Sequence, residues 1–405
     1  MQIKKILEKP DLSLEVVILL VSGTAVLVSG LLLFPISLGA IPYYKNGLYG
    51  LFLILFALQM IMLGKSPIGD FLRSKTMLGI GLFIAAVGIT SSFVPNILND
   101  IQRVLLTFCF GAGGLVLFLQ MIVSSNKYRA WKQYGGIFWQ LILACTIVYA
   151  LSILIGAMIW QEELIQAPAN SIVIMLFGAS IVYLAGVLKK IHHIYPASAK
   201  PAQGNAALST EQAMMLLMGL FMVLLGLLLI PVNLDILPFS GSAQLGLLMM
   251  LFSIQMLASG NTPIGPFQRS WLVIALGVMF AVLGIISCMI PNLMVPFLTV
   301  LVGALNMAGG FLGLGKSVLT YKNQPPQNIP PLAHQPEAII LKKVFLAQLA
   351  MNLLSILFGA TMFFSNLMPG LLLGFILATN GLVLLYLLSL LMKLDKTNPQ
   401  TLGIS

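Results

Sequence analysis

Twelve apolar stretches of near-spanning length run through this chain, and no Asp, Glu, Lys or Arg lies deep within any of them. In the first half they fall near Val16–Phe34, Gly47–Leu63, Met77–Val94, Val104–Val123, Ile137–Ile159 and Ser171–Leu188. In the second they fall near Ala213–Ile230, Ala243–Ala258, Trp271–Ile290, Phe297–Leu314, Val344–Phe364 and Pro369–Met392. Only 8% of the 405 residues are charged, and 59% are hydrophobic. A soluble fold of this size needs more charge to cover its surface. A bilayer lifts that need, but it requires every backbone polar group to be satisfied internally, so only helices or a closed barrel can span it. The runs are continuous rather than alternating, which excludes a barrel. The fold class is therefore an all-α integral membrane protein with about twelve transmembrane helices.

Charge sets the expected orientation. The net charge is +10, a balance that on a soluble chain would suggest nucleic acid. Here the basic residues collect in alternate loops, as the positive-inside rule requires, so no nucleic-acid partner is expected. With the N-terminus inside, only Lys45 and Arg103 of the 21 Lys and Arg fall outside. Lys4, Lys5, Lys65, Arg73, Lys127, Lys189, Lys342 and Lys393 are among those placed inside, where they meet anionic lipid. Trp139 and Trp271 then sit at inner helix ends and Trp160 at an outer one, in the manner of an aromatic belt. The expected location is the cell (inner) membrane, multi-pass, with both termini cytoplasmic. The first apolar run is too long for a signal-peptide core and is read as a retained helix.

The chain also repeats itself. Leu12–Phe118 aligns without a gap on Leu208–Leu314, and about a third of the positions are identical. GLLLFP at Gly30–Pro35 meets GLLLIP at Gly226–Pro231, and PIGDFLRS at Pro67–Ser74 meets PIGPFQRS at Pro263–Ser270. After a seven-residue shift, LSILIGAM at Leu151–Met158 meets LSILFGAT at Leu354–Thr361. The domains expected are a first six-helix repeat at 1–193, a cytoplasmic linker at 194–207 and a second repeat at 208–405. Six helices is an even number, so the repeats should be parallel, with pseudo-two-fold symmetry along the membrane normal.

Several residues stand out against this background. The inner turn keeps Pro67, Gly69 and Arg73 in one copy and Pro263, Gly265 and Arg269 in the other. Pro is expected to stop the incoming helix and Gly to allow the tight turn. The Arg serves either as a cap on nearby carbonyls or as a latch between the halves. Gln59, Gln255, Asn306, Asn352 and Asn380, together with Gln348, are intramembrane amides. Such side chains glue helices together or line a polar cavity. Glycines recur seven apart, as in Gly23 with Gly30 and Gly219 with Gly226, which puts each pair on one helix face. Close helix packing is the expected use, and a glycine-lined path is the alternative. Glu15 and Glu211 are equivalent, and each favours the dipole at a helix start.

Absences narrow the function. Cys109, Cys145 and Cys288 show no metal or redox spacing, and the three histidines, His192, His193 and His334, are all expected to sit in loops. No phosphate loop, nucleophile elbow or zinc-protease motif occurs. No catalytic residue, metal or cofactor is expected, and the chain reads as non-enzymatic.

Two resemblances follow from these residues. Segment Ser22–Gly64, repeated at Gly219–Gly260, carries Gly-apolar-Pro closing one helix and glycines spacing the next. It resembles the six-helix HdeD-type acid-resistance membrane proteins, as a tandem duplication. That resemblance implies a structural or stress-associated role. The twelve helices, the parallel halves and the repeated inner turn are similar to the major facilitator superfamily. That likeness implies a secondary transporter, here of a neutral or apolar solute. An accessory subunit of a membrane complex is a third expectation. The partners expected are the lipid bilayer, including anionic lipid at the cytoplasmic face, and a second copy or a membrane complex.

The charge pattern makes a direct prediction. Cysteines introduced at Glu162 or Glu163 should be labelled by an impermeant maleimide in intact cells, and those at Lys127 or Lys189 should be labelled only after permeabilisation. Labelling of Lys127 or Lys189 positions in intact cells would overturn the orientation.

Overall fold

The computed structural model describes residues 12–63, 65–66, 69–70, 74–123, 136–161, 168–195, 208–267, 269–323, 335–364 and 369–397. Twelve helices in it are long and apolar enough to cross a bilayer. In the first half they are α1 (Leu14–Ser37), α2 (Lys45–Leu63), α3 (Lys75–Phe93), α4 (Asn99–Val123), α5 (Ile137–Trp160) and α6 (Pro168–Ile194). In the second they are α7 (Thr210–Asn233), α8 (Gly241–Ser259), α9 (Trp271–Met289), α10 (Val295–Asn323), α11 (Gln335–Phe363) and α12 (Gly370–Thr397). Two short antiparallel hairpins lie between spans: β1 (Lys65–Ser66) with β2 (Gly69–Asp70), and β3 (Asn261–Thr262) with β4 (Gly265–Pro266).

Helix ends follow side-chain chemistry. Ser13, Ser74, Ser240 and Ser270 each accept the N–H of the residue three further on, which satisfies one of the orphan donors of a first turn. The inner turn ends its helix differently from expectation. α8 stops at Gly260, whose φ of 77° is the left-handed cap glycine permits, and Pro263 sits at the hairpin tip beyond it. Gly265, at φ 141°, also needs the missing side chain. Several helices outrun their apolar stretches, because backbone hydrogen bonding continues into the interface after hydropathy has fallen. α6 extends to Ile194, so His192 and His193 lie in its last turn rather than in a loop.

Packing divides the described residues into two compact bodies. α1 to α6 together with α8 and α9 form one, while α7, α10, α11 and α12 form the other. The sequence repeat and the packing bodies are thus different divisions of the chain. In the first body α1 packs most extensively on α6, α2 on α3 and α8 on α9, and α9 lies against α1 and α2. Two backbone bonds tie the start of α2 to the end of α9 and the start of α8 to the end of α3. Tyr44 N–H donates to Met289 O at 2.8 Å, and Ser240 N–H donates to Phe93 O at 2.9 Å. Residues 44 and 240, and residues 93 and 289, are equivalent in the repeat, so the two bonds exchange partners. Burial pushes the Tyr43 and Tyr44 phenols well above their usual range. Both stay protonated, and Tyr44 O–H donates to Ser92 O at 2.9 Å.

Glycine makes the close helix contacts possible, in the same helix pairs of each copy. A Cβ on Gly23 would lie 2.8 Å from Val182 Cγ2 on α6, and one on Gly219 would lie 2.6 Å from Leu385 Cδ2 on α12. Gly50 and Gly88 join α2 to α3, and Gly246 and Gly284 join α8 to α9. Gly111 meets Gly156 between α4 and α5, and Gly359 meets Met307 between α11 and α10. Unusual backbone also recurs: Gly39 and Asp235 have φ of 72° and 57°, and Asn96 and Asn292 have 65° and 63°.

These contacts predict a contrast between two alanine substitutions. Gly30→Ala would place a methyl 2.6 Å from Met175 N. It should destabilise the protein by about 1–3 kcal/mol, the usual cost of overpacking. Gly79→Ala meets nothing within 4 Å and should be neutral or gain up to about 1 kcal/mol through helix propensity. Thermal unfolding in detergent measures both.

Candidate functional site

The helices of the first half enclose a cavity of about 500 Å³. Five of them line it: α1, α2, α4, α5 and α6. It begins at one end of the bundle, at Glu15, Leu63, Gln120, Met121, Leu141 and Leu188, and ends near the middle, at Val26, Phe52, Phe110, Ser152 and Phe177. At 1.5 Å per residue, the α1 wall from Glu15 to Val26 is about 16 Å long.

Aromatic rings form the inner end. Phe110 meets Phe56 edge-on with centroids 4.8 Å apart, Phe52 at 5.7 Å and Phe177 at 5.9 Å. These geometries match the ring quadrupole preference for edge-to-face contact. Tyr149, Cys109 and Cys145 lie further along the wall, and Ser152 Oγ is turned to donate to Phe110 O at 2.9 Å. Polar residues gather toward the other end, where Glu15, Gln59 and Gln120 line the mouth.

Two wide π-helical turns, Gln59–Leu63 in α2 and Phe108–Ala112 in α4, both contribute to this wall. A π turn inserts one extra residue into a helix and re-aims the side chains around it, and such turns favour functional sites. Here they present Gln59, Leu63, Cys109 and Phe110. Their equivalents in the second copy lie in regular α-helix within α8 and α10. The difference falls where the lining side chains differ. Phe110 corresponds to Asn306, Tyr149 to Asn352 and Phe177 to Asn380. The alignment at this last position is fixed by packing: Gly178 meets Leu27 on α1, and Gly381 meets the equivalent Val223 on α7.

The intramembrane amides therefore divide between two settings. Gln59 lines the cavity. Asn306 donates from Nδ2 to Val302 O at 2.9 Å and accepts from Ser355 Oγ at 3.2 Å, which joins α10 to α11. Asn352 lies against Gly313 across the same helix pair. Asn380 is 6% exposed, and its Oδ1 has no hydrogen-bond partner among the described residues. Gln255 is partly buried, and its backbone carbonyl accepts from Ser259 Oγ at 2.9 Å.

Of the paired inner turns, Pro67 and Arg73 lie outside the described residues, as do the loops at 124–135 and 162–167 and most of the linker. Gly69 falls in β2, and Pro263 and Gly265 build the second hairpin, where Thr262 Oγ1 donates to Gly265 O at 2.8 Å. Arg269 Nη1 donates to Leu12 O at 2.9 Å, at the start of α1 and 257 residues away. Of the cap and latch readings, this bond has the form of a latch, because it joins the second copy to the first. At the same end, Ser13 Oγ is 2.9 Å from His192 Nδ1, and Lys189 Nζ lies 5.0 Å over the Trp271 ring. The two basic residues assigned outside also rest on aromatics, Lys45 on Tyr49 and Arg103 on Trp160.

Sequence reasoning missed the cavity's aromatic wall, and it treated Glu15 only as a helix-start residue. The signal was present in the repeat: aromatics in one copy align with amides in the other. The free thiols Cys109, Cys145 and Cys288 are buried, and no cluster of metal ligands occurs among the described residues. Comparison with known protein families, curated proteins and solved structures finds no match to the chain.

The Arg269 bond generates a stability prediction. Arg269→Ala should lower stability by about 1.5–3 kcal/mol, the range for a hydrogen bond to a charged group. Arg269→Lys should lose less, because it keeps the charge but not the planar fork. Thermal unfolding ranks the two. Equal behaviour of both variants and wild type would remove the latch.

Proposed function

We propose that this is a non-enzymatic multi-pass protein of the cell (inner) membrane that binds, and as a secondary transporter carries, an apolar solute in the cavity of its first six-helix half. The cavity carries this reading. It is large enough for a small organic molecule, mostly apolar, and entered at a polar end. The absence of any Asp, Glu, Lys or Arg deep in a span argues against proton coupling through mid-membrane carboxylates or bases and suits an uncharged transported body.

The basic-residue pattern supports cytoplasmic termini, which would turn the Glu15 end of the cavity toward the cytoplasm and its anionic lipid. The exchanged Tyr44–Met289 and Ser240–Phe93 bonds support two parallel repeats related by a pseudo-two-fold axis along the membrane normal. A second reading, a structural or stress-associated role like that of HdeD-type proteins, draws support from the solid glycine-mediated packing of α2 with α3 and α8 with α9. Under that reading the partner is a second copy or a membrane complex.

Cysteine chemistry separates the two. Cys145 lines the cavity, whereas Cys288 is packed against Gly246. In single-cysteine variants, N-ethylmaleimide should modify Cys145, and the neutral fluorophore N-phenyl-1-naphthylamine should bind saturably and slow that reaction about tenfold. Cys288 should stay unreactive throughout. An unprotected Cys145 with no saturable binding would leave the structural reading in possession.

A further inference from the structure

The polar groups on the cavity wall fall into two sets. Glu15, Gln120 and Tyr149 are already engaged with neighbours, and Ser152 Oγ is bonded to Phe110 O. Ser22 on α1 and Gln59 on α2 also line the wall, and among the described residues neither side chain has a hydrogen-bond partner. Both stand on the mouth side of the ring cluster, Ser22 before Val26 on α1 and Gln59 after Phe56 on α2. α1 lies against the π turn that Gln59 begins.

Ordinary helix chemistry does not account for these two. A serine inside a helix can donate to the carbonyl four residues back, as Ser29 does to Ala25 O at 2.7 Å on the same helix. Ser22 is 5% exposed, yet its Oγ makes no such bond. Packing does not require the hydroxyl either, because the equivalent residue of the second copy is Met218, buried without one. Ser152 differs in both respects. It is bonded, and its equivalent, Ser355, donates to the equivalent carbonyl, Asn306 O, at 3.2 Å. That bond holds helices together in each copy. Gln59 would act as such glue if its amide reached another helix, and among the described residues it bonds to none.

Resting on the cavity reading above, we infer that the ligand of this site is an uncharged amphiphile. Its apolar body lies among Phe52, Phe56, Phe110 and Phe177, and its single polar head, such as a primary amide or an alcohol, is shared by Ser22 and Gln59. A hydroxyl and a carboxamide each donate and accept, so a head that does both matches them. A carboxylate would bring a charge that the described wall, with no Lys, Arg or His, does not balance. An ammonium cannot accept, so it would leave the donors of this pair unmet. Ser22 Oγ is shielded from solvent, and with no bond to break it can turn about Cα–Cβ to meet the head.

Four probes with a common phenylalkyl body test this on the purified full-length protein in lipid nanodiscs, with Cys145 as the sole cysteine. They are ω-phenylhexanamide, ω-phenylhexanoate, ω-phenylhexylamine and phenylheptane. The readout is protection of Cys145 from N-ethylmaleimide, with each concentration corrected for partition into the lipid. The amide should protect at about tenfold lower concentration than phenylheptane, an effect within reach of two hydrogen bonds. The charged probes should show no such advantage. Ser22→Ala and Gln59→Leu should each cut the advantage about threefold, and together they should abolish it. Neither should change the reaction of Cys145 without probe or its protection by phenylheptane, which reports that the variants are folded. Gln255→Leu, at the equivalent place in the second copy, should match wild type. The inference falls and the apolar cavity stands if phenylheptane protects as well as the amide or a charged probe protects best. It falls in the same way if the double variant keeps the advantage, or if Gln255→Leu acts like Gln59→Leu. If no probe protects Cys145 and N-phenyl-1-naphthylamine does not bind, the cavity reading falls and takes this inference with it.

Discussion

Close approach of helix backbones at small residues is the contact on which this structure depends. Between helices surrounded by lipid, burying Leu against Leu gains little, because the tails are equally apolar. What remains is van der Waals contact, which falls away steeply with distance, and hydrogen bonding across the interface. The glycines of α1, α2, α3, α8 and α9 answer the first need, and serines answer the second. Gly50 takes its place against Gly88 and Ser92. Ser287 Oγ donates to Ser242 O at 2.7 Å, across the equivalent pair. Helices held this closely at a few points can diverge elsewhere, and the cavity occupies such a divergence.

The twelve spans were legible because continuous apolar length is a direct requirement of the bilayer, and no tertiary contact is needed to read it. The repeat was legible for a similar reason: matched Pro, Gly and Arg positions are visible in one dimension. The cavity was not. Phe52, Phe110 and Phe177 look in sequence like any lipid-facing aromatic, and only helix rotation distinguishes them. The π turn at Phe108–Ala112 sets part of that rotation, and no residue in it announces an extra insertion. The grouping of α8 and α9 with the first half was equally hidden. It rests on α9 lying against α1 and α2 and on the ends of helices meeting through backbone atoms, to which sequence is nearly blind. The helix-stop role assigned to Pro263 failed for a local reason: Gly260 can adopt the left-handed cap and ends the helix first.

The Arg269 bond to Leu12 and the Ser13 contact with His192 place two polar ties at the start of α1. This is also the helix that carries Glu15. The position of that carboxylate is thus set from two directions, by Arg269 just before α9 and by the last turn of α6. A wall residue on a freely frayed first turn would have no fixed relation to Gln59 or Gln120.

The exchanged backbone bonds bear on how such a molecule can change over time. When residue i meets residue j and j meets i, the contact has the form made by two identical subunits. In an assembly of identical subunits every substitution is made twice, so a change that suits one site is imposed on both. A single chain carrying both copies escapes that rule. Tyr44 can stand where its counterpart is Ser240, and Phe93 where its counterpart is Met289, without breaking either bond. The same freedom lets Phe177 line an aromatic pocket while Asn380 keeps an amide in the matching place. Joining the copies in one chain is therefore what allows an oily chamber and a hydrogen-bonding seam to occupy equivalent positions of one molecule.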